Sequence, residues 1–198
     1  DLIARALDSA DVTAAHISLE PEGRNTAAAI CLAALQIAFD DPSAIMLVLP
    51  SDHIVADIVA FDAAITTAIA AAQEGAIVTF GMVPDGPETG YGYIRAGAPR
   101  ADGGFAIHSF TEKPDRATAE AWLAEGGYSW NSGIFVFSAH SILDELETHC
   151  PQIYAACVAA LGQSRRDGVM VYPDASAFAA AEALPIDIAV MEKTARGV

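Results

Sequence analysis

The chain has 198 residues, with 10 Lys+Arg against 26 Asp+Glu and a formal charge of −16. Hydrophobic residues make up 53% and charged residues 18%, which excludes a disordered chain and predicts one domain, or one and a fraction, with a core that needs no disulfide staples. The negative field argues against nucleic acid as a partner, because it repels phosphate, and no apolar run reaches the length of about eighteen residues that a membrane span needs.

Ala27, Ile30, Cys31, Ala34, Leu35 and Ala38 recur at i, i+3 and i+4 and predict a helix, with Asn25 or Thr26 as N-cap and Pro42 past its end. Ala44–Leu49 is a short continuous apolar run, as expected of a strand covered on both faces of a parallel sheet. Phe61, Ile65, Ala68, Ile69 and Ala72 mark the next helix, capped by Asp57 and closed by Gly75, and residues 76–80 read as another buried strand. This β-α-β order predicts a layered α/β domain with a mostly parallel central sheet. Strand-like pieces at 91–95 and 105–110 flank a turn at Asp102-Gly103-Gly104, a small antiparallel excursion. A helix is predicted after Asp115, a strand over about 133–137, and helices over most of 139–184, divided by Pro151.

Cys31, Cys150 and Cys157 form an odd set without a C-x-x-C pair, which argues for a reducing, cytoplasmic setting rather than a disulfide scaffold or zinc ribbon. Residue 1 is Asp and no signal peptide opens the sequence. Glu145 and Glu147 read as a solvated helix face, and Arg165 and Arg166 as loop residues.

Several short segments carry side chains suited to chemistry. Asp52 follows a predicted parallel strand, where open α/β sheets bind ligands, and a carboxylate there suits Mg²⁺ completed by substrate phosphates; the bland alternative is a local cap. Glu20-Pro21-Glu22-Gly23-Arg24-Asn25-Thr26 precedes a helix N-terminus and is able to hold a phosphate, ribose or base edge, or merely to cap. In Pro87-Glu88-Thr89-Gly90-Tyr91-Gly92-Tyr93-Ile94, two glycines bracket an aromatic ring, which fits either a sugar-sized pocket or a hairpin corner. Glu112 and Lys113 are neighbours before Pro114, and on a straight strand they would point to opposite faces. Both serve one ligand only if the backbone turns there. Asn131, in Trp130-Asn131-Ser132-Gly133, offers donors and an acceptor that match sugar hydroxyls.

Taken in order, Glu20–Ala27, Leu49–His53, Pro87–Ile94, Phe110–Pro114, Trp130–Phe135 and Asp187–Lys193 resemble the motifs of the sugar-nucleotide pyrophosphorylases. The resemblance is greatest to bacterial mannose-1-phosphate guanylyltransferases, including the type fused to a mannose-6-phosphate isomerase domain. It implies a Rossmann-like nucleotidyltransferase domain acting on two small molecules, GTP and mannose-1-phosphate, with Mg²⁺. It implies a cytoplasmic enzyme of nucleotide-sugar and polysaccharide biosynthesis, and leaves a homo-oligomer open. Asp52 would be the metal ligand and, with Lys113, catalytic. Glu20, Arg24, Asn25 and Thr26 would line the nucleotide. Gly90, Tyr91, Glu112 and Asn131 would contact the mannose, and Lys113 its phosphate. The family opens with a Gly-rich loop containing an Arg and places a second metal-binding Asp beyond the last motif. The expectation is therefore that residues 1–198 are one partial domain, missing both segments and inactive alone. A further departure is Ile188, where the family usually has Tyr. Two alternatives stay open: a pyrophosphorylase for another sugar and nucleotide, and an inactive ligand-binding module of the same fold.

Overall fold

A computed structural model describes residues 2–198. Helix α1 (Leu2–Ser9) and the two-residue strand β1 (Ile17–Ser18) lead to α2 (Asn25–Asp40), whose Ala27, Ile30, Cys31 and Ala34 are buried along the predicted stripe. The N-cap position is Arg24 rather than Asn25 or Thr26. Strand β2 (Ile45–Val48), helix α3 (Ile58–Gln73) and strand β3 (Val78–Met82) follow. Asp57 caps α3 by accepting the Ala60 N–H at 2.9 Å, which ties up one of the orphan donors of the first turn. Strands β4 (Tyr93–Pro99) and β5 (Phe105–Thr111) form the predicted hairpin, with Asp102 accepting the Gly104 N–H at 3.0 Å inside its turn. Helix α4 (Arg116–Glu125), capped by Asp115, precedes the longest strand, β6 (Tyr128–Ser138). Then come α5 (Ala139–His149), α6 (Pro151–Gly162), β7 (Arg165–Asp167), β8 (Met170–Tyr172), α7 (Ala175–Phe178) and a single π-helical turn, Asp187–Met191.

The expectation of a mostly parallel central sheet is corrected by the pairing. Every strand pair within the five-stranded sheet β2–β6 is antiparallel. Val136 of β6 is opposite Leu47 of β2 and Val78 of β3, so β6 lies between them. Strands β2 and β3 do run parallel to each other, but one strand apart. The continuous apolar runs misled because they report burial on both faces, not the direction of the neighbour. Both faces are covered around β3 and β6, although Leu47 of β2 is 41% exposed. Ile77, Phe135 and Phe137 enter one core with α2, α5 and α6, whereas Val78 and Val136 enter another with Ala68, Ala71 and Ala72 of α3. Alternate strand residues thus feed opposite layers. Strand β4 pairs with the other half of β6, so the hairpin belongs to the main sheet and is no excursion.

Three smaller expectations also change. Residues 165–172 form a hairpin instead of helix, and Arg165 and Arg166 lie on its first strand. Glu145 is buried at 6% exposure, with Arg196 Nε 3.2 Å and His149 Nε2 3.2 Å from its carboxylate. All three cysteines are buried and free. Among the described residues, no helix is long and apolar enough to cross a membrane.

Candidate active site

Strand β5 ends at Thr111, and the chain turns at once: Lys113 has φ +48°. A non-glycine residue in that region costs on the order of 1 kcal/mol and needs external support. Glu192 supplies a bond next to it, its Oε1 accepting the Glu112 N–H at 2.9 Å. The turn meets the geometric condition set by the sequence. Lys113 Nζ lies 3.2 Å from Glu112 Oε1, with the Glu112 side chain only 10% exposed and Lys113 60%.

The Glu112 carboxylate packs over Gly92. A Cβ at position 92 would stand 2.7 Å from Glu112 Oε2 and 3.4 Å from Asn131 Cβ, so only glycine admits both neighbours undisturbed. The Gly92 carbonyl accepts the Asn131 N–H at 2.8 Å. The Asn131 side chain is held at both ends. Its Oδ1 accepts from the Thr79 hydroxyl at 2.7 Å and from the Gly133 N–H at 3.3 Å, and its Nδ2 donates to Asp187 Oδ1 at 2.7 Å. Burial first, and the Glu112 charge second, push the Asp187 carboxyl up to about 6, against the opposing pull of its own backbone amide, Lys113 and Asn131. Glu112, Lys113, Asn131, Gly92 and Asp187 therefore form one connected cluster.

Tyr91 stands edge-on to Trp130 at 5.1 Å between ring centroids, beside this cluster. The Gly90 N–H donates to Glu88 Oε1 at 3.1 Å. Glu88, Tyr91, Arg116 and Trp130 line a polar cleft of about 350 Å³. A larger and more apolar cleft, about 500 Å³, lies between α3 and β5 and is lined by none of the candidate site residues.

On the other side of the π-turn, Thr26 Oγ1 accepts the Ile186 N–H at 2.8 Å. Asn25, at φ +63°, accepts the Thr26 N–H through Oδ1 at 2.8 Å. Arg24 pairs with Glu22 at 2.7 Å, yet its buried Nε has no partner, and neither has the buried Glu20 Oε1. Burial raises the Glu20 carboxyl above the usual carboxylate range. Two unanswered polar atoms in the loop before α2 are what a polar ligand would satisfy. Asp52 is exposed in the turn after β2, and Pro50, two residues before it, approaches to 3.8 Å of a Cβ placed on Gly133. Among the described residues, no hydrogen bond or ion pair joins Asp52, Glu20, Arg24 or Asn25 to the Glu112–Asn131 cluster. No set of three His, Cys, Asp or Glu side chains there is arranged to hold a metal. Asp52 belongs to no such set, and one carboxylate suits a divalent cation completed mainly by phosphate oxygens.

The sequence gives no separate role to Thr79, Asp187 or Glu192, and marks Gly92 only as one of the two glycines around Tyr91. The Asp187–Lys193 motif was visible, but the partners of its acids lie 56 and 80 residues away in the chain.

The chain matches the family model described as nucleotidyl transferase over residues 3–176. It is 49% identical over 197 residues to the xanthan biosynthesis protein XanB of Xanthomonas campestris pv. campestris (strain B100), covering all of this chain and 42% of that protein. It is 44% identical over 203 residues to the mannose-1-phosphate guanylyltransferase of Escherichia coli, again covering all of this chain and 42% of that one. The chain thus spans about two fifths of the length of these curated relatives. A solved structure described as mannose-6-phosphate isomerase from Helicobacter pylori superposes with a TM-score of 0.82 at 34% identity, over 92% of this chain and 70% of that one. Another, described as mannose-1-phosphate geranyltransferase from Thermus thermophilus, gives 0.77 at 36% identity, over 90% and 50%.

Proposed function

Because the chain belongs to the nucleotidyl transferase family, we propose that the intact protein transfers GMP from GTP to mannose-1-phosphate, giving GDP-mannose and pyrophosphate. The observation that carries this reading is the meeting of Glu112 and Asn131 over Gly92, with the Lys113 ammonium 3.2 Å from the Glu112 carboxylate. A carboxylate and an amide match sugar hydroxyls, and an ammonium beside them matches the sugar's phosphate. The name of the relative from Escherichia coli supports the same substrate.

The reaction joins two anions. A sugar-phosphate oxygen attacks the α-phosphorus of the nucleotide, the bond to the β-phosphate oxygen breaks, and pyrophosphate leaves. The second phosphate pKa is about 6, so the nucleophile is ionised at neutral pH and needs no base. The protein's task is to hold like charges in line. Lys113 neutralises and aims the sugar phosphate. Glu112 and Asn131 orient the ring, and Tyr91 and Gly90 close its side. Glu20, Arg24, Asn25 and Thr26 face the nucleotide, where Arg24 Nε and Glu20 Oε1 have hydrogen-bonding capacity to spare. Asp52 would hold Mg²⁺, which supplies charge neutralisation to the triphosphate.

Incubating the intact protein with GTP and mannose-1-phosphate should release pyrophosphate and GDP-mannose in equal amounts. Turnover with UTP and glucose-1-phosphate, and none with GTP and mannose-1-phosphate, would assign the same fold to another sugar nucleotide.

A further inference from the structure

The chemistry above gives no task to the Asp187–Lys193 motif. In the fold, Asp187–Met191 is a π-turn, closed by the Glu192 N–H donating to the Asp187 carbonyl at 2.9 Å. Such turns are rare and concentrate at functional sites. The geometry has a direct consequence. Residues five apart stand about 140° from each other around an α-helix, but a wider π-turn, with i→i+5 closure, brings them to within about 50°. Asp187 and Glu192 therefore share a face. Ile186, Ala189, Val190 and Met191 are buried in the core.

From that face, Asp187 accepts from Asn131 Nδ2 at 2.7 Å and Glu192 accepts from the Glu112 N–H at 2.9 Å. The turn is anchored from behind. The Ile186 N–H donates to Thr26 Oγ1 at 2.8 Å, and Cys150 Sγ donates to the Ala189 carbonyl at 3.3 Å. Asn131 needs such a partner, because Thr79 and Gly133 fix only the oxygen end of its amide. The Glu112–Lys113 turn needs one because φ at Lys113 is +48°.

We propose that Asp187 and Glu192 are positioning residues for sugar recognition: the π-turn presents two carboxylates to one side, one fixing the Asn131 amide and the other fixing the backbone that aims Glu112 and Lys113. This rests on the assignment of Glu112 and Asn131 to the sugar.

The test uses the intact protein. Asp187→Ala and Glu192→Ala should each raise KM for mannose-1-phosphate about tenfold, with KM for GTP changed less than about twofold. Asp187→Asn and Glu192→Gln keep an acceptor oxygen in the same place and should return the sugar KM to within about threefold of wild type. Crystal structures of the alanine variants should show the Asn131 amide rotated or the turn at 111–114 displaced. An unchanged sugar KM in both alanine variants, equal damage from the conservative variants, or an unmoved Asn131 amide in Asp187→Ala would overturn the proposal. If the wild-type protein prefers a different sugar phosphate, the substrate reading fails on its own, and the same loss and rescue measured on that sugar decides the positioning role.

Discussion

A carboxyl pushed up to about 6, as Asp187 is by burial and then by Glu112, changes the response of the protein to pH. In the unfolded chain an Asp titrates near 3.9. The folded state therefore holds the Asp187 proton more tightly, and ionising this group costs stability. That cost is fully present above about pH 6 and is relieved as pH falls toward about 4. Allowing for partial exposure, its size is about 2 kcal/mol. Asp187→Asn removes the ionisable group and keeps an oxygen for Asn131. Urea unfolding should find the variant about 1–2 kcal/mol more stable than wild type at about pH 8, with the gap closing by about pH 4. A gap that does not change with pH would mean that Asp187 is not strained by its charge.

At the scale of elements, the site is assembled by contacts between segments distant in sequence. Thr26 shows this most simply. Its hydroxyl oxygen ties the start of α2 to the π-turn through the Ile186 N–H. Thr26→Val keeps the shape and leaves that N–H without its acceptor, so it should cost about 1–2 kcal/mol in a thermal or urea unfolding measurement, while Thr26→Ser should cost under about half of that. Equal stability of the Val and Ser variants would show the bond to be of no consequence. The legible parts of the fold were the local ones. Asp57 and Asp115 cap their helices through side-chain bonds to residues three positions on, a pattern written in a few residues. The Asp102-Gly103-Gly104 turn was readable for the same reason. Strand pairing was not, because β6 is inserted between β2 and β3 from roughly 50 to 90 residues later in the chain. The hairpin at 165–172 was overlooked although Asp167-Gly168, with Gly168 at φ +57°, is a strong turn signal. Within the site, Glu112, Lys113 and Asn131 announced themselves by residue type, whereas the roles of Asp187 and Glu192 depend on a π-turn that no local pattern specifies.

Across the whole molecule, a charge of −16 opposes the approach of both proposed substrates, which are polyanions. Exposed charges are screened beyond about 8–10 Å at physiological ionic strength, so a few cations inside the cleft decide whether a phosphate is held. Lys113 brings one such cation to the proposed sugar site, 3.2 Å from Glu112. The proposed roles of the two neighbours differ, and steady-state kinetics of Glu112→Gln and Lys113→Met in the intact protein tests that division directly. With GTP fixed, kcat/KM is measured for mannose-1-phosphate and for glucose-1-phosphate. Glu112→Gln should lower the mannose value about ten- to a hundredfold and narrow the ratio between the two sugars. Lys113→Met should lower both values by a similar factor, on the order of tenfold or more, and leave the ratio unchanged. Identical losses for both variants on both sugars would contradict the account and reduce the pair to a structural contact.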